Sequence, residues 1–190
     1  SQMGEISDGS TSQLSFKKYR IFIPKFTWDR EEEKIPEIFK FQEIILQSLI
    51  RRYLSNINNL RGFFEKIGLN DQNADKFEVL GEKALPEGHI DLLIKEAQPI
   101  GLSRKVIVEV KRGNATSEHI KQLRSYINEI GKECLKGVLI AKHFSKNTLK
   151  EAKDNGIVSF VYYFNNLNEQ LKYSFDDLLP KLCLLRLEAT

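Results

Sequence analysis

The chain has 190 residues, 41% hydrophobic and 29% charged, and its 29 Lys and Arg against 26 Asp and Glu leave a formal net charge of +3. That is material for one core, which serves roughly 100 to 200 residues; a mean hydropathy of −0.36 with no long apolar run excludes a membrane-spanning helix. A charge so near zero excludes nucleic-acid binding by bulk electrostatics, so any phosphate contact must come from local patches.

Residues 1–15 are a polar Ser/Gly/Gln stretch that reads as a disordered end or tag remnant. Residues 18–28 mix aromatic and β-branched residues around Pro24, which suits an edge strand or extended arm. After the acidic run Glu31 to Glu33, Pro36 opens a long predicted helix. Its apolar residues Phe39, Ile45, Leu46, Leu49, Ile50, Tyr53, Leu54 and Ile57 recur at three- and four-residue steps to about Leu60. Residues 61–75 read as a short helix and a loop. Three strands follow at 77–84, 89–95 and 105–111, separated by Pro86-Glu87-Gly88 and by a turn with Pro99 and Gly101. The last of them, VIVEV, is apolar enough to be buried on both faces. Helical spacing returns at 117–130, with Gly131 as its cap, and then come a strand (137–141), a short helix (146–153) and a strand (157–164). Residues 178–187 read as a C-terminal helix. The order predicts an α/β sandwich, with a mixed central β-sheet flanked by α-helices. Cys134 and Cys183 are too few for a disulfide scaffold and lack the paired spacing of a zinc site, so they read as reduced thiols of a cytoplasmic protein.

Charged residues inside the apolar strands carry the chemistry. Glu109 and Lys111, two apart in VIVEVK, point to the same face of their strand, where each ion costs several kcal/mol to desolvate unless it is paired or binds something. An ion pair at a strand end would satisfy both. Asp91 in GHIDLLI stands in the neighbouring strand of a predicted hairpin, so its carboxylate and that of Glu109 converge on the oxygen-rich kind of pocket that Mg²⁺ prefers. Gln122 and Tyr126, four apart, share one side of the next helix, with His119 a turn earlier. Glu43 in the first helix has mostly apolar neighbours and could reach the same pocket, and Glu65 is its rival. Arg112, Lys121, Arg124, Lys142, His143, Arg51 and Arg52 are candidate phosphate contacts.

The set Asp91, Glu109-Val110-Lys111 and Gln122-x-x-x-Tyr126 resembles the PD-(D/E)xK nuclease superfamily with its RecB-type QxxxY extension. The runs GHIDLLI, VIVEVKRGNAT, QLRSYINEI and KGVLIAKHF look like the nuclease domain of NucS/EndoMS-type endonucleases. The resemblance implies a restriction-endonuclease-like fold and a metal-dependent DNA endonuclease acting in repair or in restriction and defence. The alternative is a nucleic-acid-binding module that keeps the fold without cleavage. The resemblance implies that Asp91, Glu109 and the Val110 carbonyl hold Mg²⁺ or Mn²⁺ and that Lys111 orients or helps deprotonate the attacking water. Gln122 and Tyr126 would position Lys111 or the substrate, and Glu43 would match the acid of the family's first helix. Residues 16–190 then form a single nuclease domain: an N-terminal arm (16–35), a core (36–175) and a C-terminal helix (176–190). The implied partner is DNA. The arm KYRIFIPKFTW and the C-terminal segment LLPKLCLLRL carry more apolar surface than a core of this size needs, so a homodimer built on one or both is expected, and an additional protein supplying target recognition is a further expected partner.

Overall fold

The computed structural model describes residues 25–28, 37–85, 88–167 and 173–188. The readings for residues 1–15 and for most of the arm lie outside them. Two short strands, β1 (Lys25–Trp28) and β2 (Glu37–Lys40), pair antiparallel, Lys25 opposite Lys40. The long helix predicted from Pro36 is therefore corrected at its start, because residues 37–40 are extended. It is also two helices, α1 (Glu43–Leu54) and α2 (Ile57–Lys66). The break is local chemistry: Ser55 Oγ donates to Arg51 O at 2.8 Å, and Asn56 Oδ1 accepts from the backbone of Asn58 and Asn59, starting a new helix in mid-pattern.

A 3₁₀ turn (Ala74–Lys76) leads into β3 (Phe77–Leu85), β4 (Gly88–Glu96) and β5 (Lys105–Asn114). Then α3 (Ser117–Ile130), β6 (Cys134–His143), α4 (Lys146–Asp154) and β7 (Ile157–Phe164) alternate, as two helical crossovers require. The chain closes with α5 (Phe175–Leu178), a 3₁₀ turn holding Pro180 (Leu179–Lys181), and β8 (Leu182–Leu187). The C-terminal helix expected over 178–187 is thus corrected to a strand. Its leucines pair antiparallel with β7 and bury Leu182, Leu184 and Leu187 against the chain's own core. The surplus apolar surface that made this segment an expected dimer contact is used up inside the fold.

The six strands form one mixed sheet in the order β3-β4-β5-β6-β7-β8, parallel only at β5–β6 and β6–β7. One face packs Leu46, Leu49, Ile50 and Leu54 of α1 and Phe63 and Phe64 of α2 on Val106, Val108, Val110, Ile140 and Phe160. The other packs Ile120, Leu123 and Tyr126 of α3 and Leu149 and Ala152 of α4 on Ile107, Leu139, Ala141 and Val161. The expected α/β sandwich is the observed one, and β5 is indeed buried on both faces.

Candidate active site

The β4–β5 ladder runs from Lys95 opposite Lys105 to Leu92 opposite Val108 and stops there. The next opposed positions would be Asp91 and Glu109, and at that point β4 changes face: Ile90 packs with the α3 side of the sheet, Leu92 with the α1 side. In place of a backbone carbonyl, Asp91 Oδ2 accepts from Val110 N–H at 2.7 Å. The strands are held together past the end of their ladder by a side chain.

Along β5, Glu109 is 1% exposed, and its Oε1 takes the Lys111 ammonium at 2.8 Å. Lys111 also lies 3.4 Å from Glu43 Oε1. Glu43 is the first residue of α1, and its second oxygen accepts from Arg112 N at 2.9 Å, which pins the helix start to the end of β5. Glu65 is exposed on α2 and is not part of this group, so of the two rivals it is Glu43 that stands beside Lys111. Glu109 Oε2 is different: it is buried and has no hydrogen-bond partner.

Three carboxylates thus face one ammonium. Burial, with the Asp91 charge behind it, pushes the Glu109 carboxyl up to about 7, in spite of Lys111. Burial likewise raises Asp91, against the pull of the Val110 N–H and of Lys111. Burial works against the charge on Lys111, but its hydrogen bond to Glu109 and the charges of Glu109, Asp91 and Glu43 prevail, and its pKa is raised, so it remains an ammonium. His119 is held low by burial and by the Lys111 charge, and its Nδ1 accepts from Thr116 N at 3.2 Å in a capping box at the start of α3.

Gln122 and Tyr126 bond each other, Nε2 to the phenol oxygen at 2.7 Å, with Gln122 exposed and Tyr126 buried. Among the described residues neither side chain hydrogen-bonds Lys111. Arg112 is a brace rather than a free phosphate contact: its Nη1 donates to Phe41 O at 2.7 Å, and its carbonyl accepts from the buried Tyr162 hydroxyl at 2.7 Å. Sequence reasoning missed this brace, since nothing in the spacing of Phe41, Arg112 and Tyr162 links them. Arg51, Arg52, Lys121, Arg124 and His143 are exposed and Lys142 half-buried, as phosphate contacts require.

Among the described residues no three His, Cys, Asp or Glu side chains gather into a ready metal cage. The donor set nevertheless fits a hard divalent cation, because a buried, partnerless carboxylate oxygen beside a second acid is what such an ion neutralises.

A mixed six-stranded sheet flanked by helices, with Asp91, Glu109 and Lys111 gathered where the β4–β5 ladder stops, makes this an α/β domain. The chain belongs to the family described as the endonuclease NucS C-terminal domain, whose model matches residues 74–170, just over half of it. Among solved structures, a repair endonuclease from Pyrococcus abyssi is 19% identical with a TM-score of 0.37 over 53% of this chain and 42% of that one. EndoMS in its apo form is 16% identical (TM-score 0.40), and EndoMS in complex with double-stranded DNA is 17% identical (TM-score 0.41), each over 71% of this chain and 62% of that one. The chain therefore spans between 42% and 62% of the lengths of these structures. No curated protein sequence matches it.

Proposed function

We propose that the chain carries the catalytic centre of a divalent-metal-dependent DNA endonuclease of the PD-(D/E)xK type, acting in repair or in restriction and defence. The observation that carries this reading is Glu109 Oε2, buried without a partner next to Asp91. Glu109, the Asp91 oxygen not bonded to Val110, and the Val110 carbonyl would hold Mg²⁺ or Mn²⁺. The pairing of β5 with β4 stops at Val108, short of that carbonyl. When bound, the ion supplies an acidified water and offsets charge on the phosphate in the transition state.

The chain's own groups divide the remaining work. Lys111, suspended between Glu109 and Glu43, presents protons to the attacking water and to a phosphate oxygen; with a raised pKa it orients and stabilises and does not act as the base. Glu43 fixes both the Lys111 ammonium and the Arg112 backbone, so it sets how far Lys111 can move. Exposed Arg51, Arg52, Lys121 and Arg124 supply the local cations that a net charge of +3 cannot. A module that only binds nucleic acid is disfavoured by the same geometry, because three acids gathered around a single ammonium repel phosphate unless a metal ion joins them.

The test is incubation with single-stranded, duplex, mismatched and branched DNA in Mg²⁺, Mn²⁺ or EDTA. Cleavage that needs the metal and disappears in Lys111→Ala is expected. Equal degradation by wild type and Lys111→Ala would overturn the assignment.

A further inference from the structure

Beyond Leu92 the start of β4 has lost its ladder to β5, and its other neighbour, β3, is an edge strand. Gly88 pairs with Leu85 at the mouth of this β3–β4 hairpin, and Ala84 with His89 and Lys83 with Ile90 continue the pairing. A two-stranded ribbon at a sheet edge is weakly fixed in direction, yet Asp91 must be placed closely enough to bond Val110 N–H at 2.7 Å. Something else has to hold the hairpin.

The group that meets it is Tyr126. The phenol is 1% exposed, packed in the core between α3 and the sheet. A Cβ built on Gly88 would lie 2.5 Å from the Tyr126 oxygen and 3.5 Å from Cζ, so backbone and phenol are in close approach and only glycine fits between them. Gly88 also has φ 149°, in the region that favours glycine. Asp91 follows three residues later on the same strand, about 10 Å away at 3.3 Å per residue.

We propose that Tyr126 and Gln122 are positioning residues for Asp91. The buried phenol, steadied by Gln122, is the stop on which Gly88 lands, and it sets the opening of the β4–β5 fork at which Asp91 reaches Val110. The purpose of this arrangement rests on the nuclease reading, but its geometry is measurable without metal or DNA. The polar pair that the resemblance assigns to positioning Lys111 or the substrate thus acts on the strand that carries Asp91.

Amide hydrogen exchange by NMR on the metal-free protein tests it, with the Val110 amide as reporter, since the carboxylate of Asp91 is what protects it. Tyr126→Phe should speed Val110 exchange by about 10-fold or more and leave Ile107 and Leu139, in the middle of the sheet, unchanged. Gly88→Ala should do the same. Because Gly88→Ala also strains the backbone, the double variant is decisive: the new methyl takes space the hydroxyl vacated, so its effect should be smaller than the product of the two. In Mg²⁺ the variants should lose cleavage by about 10- to 100-fold, as when a group supporting a ligand is removed. Unchanged Val110 exchange in Tyr126→Phe, equal acceleration at Ile107, or purely multiplicative effects would each overturn the inference. Failure of the nuclease reading looks different: wild type would cleave nothing while the Val110 pattern held.

Discussion

Glu109→Gln should stabilise the metal-free protein at pH 8. The Glu109 carboxyl is raised from 4.5 to about 7, chiefly by burial and then by the Asp91 charge. Between those values the folded state holds a proton that the unfolded state has released, so stability falls as pH rises through the window and the loss is complete above the folded pKa. At about 1.4 kcal/mol per unit the penalty at pH 8 is at most about 3.5 kcal/mol. In a chain of this size that corresponds to roughly 7 to 14 °C in Tm. The amide of Gln removes the penalty and forfeits the Lys111 ion pair, which leaves Lys111 its contact with Glu43 at 3.4 Å. The net gain expected is therefore a few degrees at pH 8, shrinking to nothing or reversing at pH 5. His119, held low, runs in the opposite sense below its ordinary value, so the quantity to follow is the difference between variant and wild type, in which His119 cancels. Glu96, Glu133 and Asp177, all held low, lose their contributions only below the window. Thermal melts at pH 5, 6, 7 and 8 in EDTA, repeated at pH 8 in millimolar Mg²⁺, give the answer. Magnesium should raise the wild-type Tm at pH 8 and leave Glu109→Gln almost unmoved. A wild-type curve parallel to that of Glu109→Gln at every pH would show that Glu109 carries no such burden and would remove the main support for a cation there.

Asp91→Ala, Glu109→Gln and Lys111→Ala should each abolish metal-dependent cleavage in a gel assay, and Lys111→Ala should keep DNA affinity within a few-fold by fluorescence anisotropy. Glu43→Ala should slow cleavage by about 10- to 100-fold because it releases both Lys111 and the Arg112 backbone, whereas Glu65→Ala on exposed α2 should match wild type. The Cys134 thiol, pushed up to about 11 by burial, should react with a thiol reagent at pH 8 far more slowly in the folded protein than in denaturant; equal rates would refute its burial. Asn56→Ala should lower stability by about 1 kcal/mol, as removal of an N-cap does, measured by urea unfolding.

Strands β3 to β7 and helices α3 and α4 were legible because their signals are local. The period changes at Lys76, Gly and Pro mark the turns, and Gly156 (φ 70°) ends α4. The errors fall where a local pattern fits two structures. The apolar spacing from Ile45 to Leu60 runs straight through the Ser55-Asn56 break, which is made by two side chains capping backbone and not by any change in period. The leucines of 182–187 have no decisive period, and only the availability of β7 as a partner makes them a strand. In the site, Asp91, Glu109 and Lys111 stood out as charges within apolar runs. Glu43 could not be separated from Glu65 in the sequence because the helix start was placed at Pro36, and α1 begins at Glu43 itself. The contact of Tyr126 with Gly88 joins residues 38 apart (126 minus 88) and leaves no mark in spacing.

The side-chain bridge from Asp91 to Val110 gives the carboxylate two employers. One oxygen finishes the sheet, and the other is the one proposed to meet the metal. Asparagine at 91 could still accept the Val110 N–H and would keep the fork closed, while an aliphatic residue would strand a donor and let the Leu92–Val108 pair fray. On the proposed nuclease reading, a descendant of this chain that had abandoned cleavage would therefore still be held by folding to Asp or Asn at 91. Positions 109 and 111 would drift first, since a buried ion pair is readily replaced by apolar packing. Within such a lineage, an acid at 91 testifies to an intact sheet, and the Glu109–Lys111 pair is the better witness to a living enzyme.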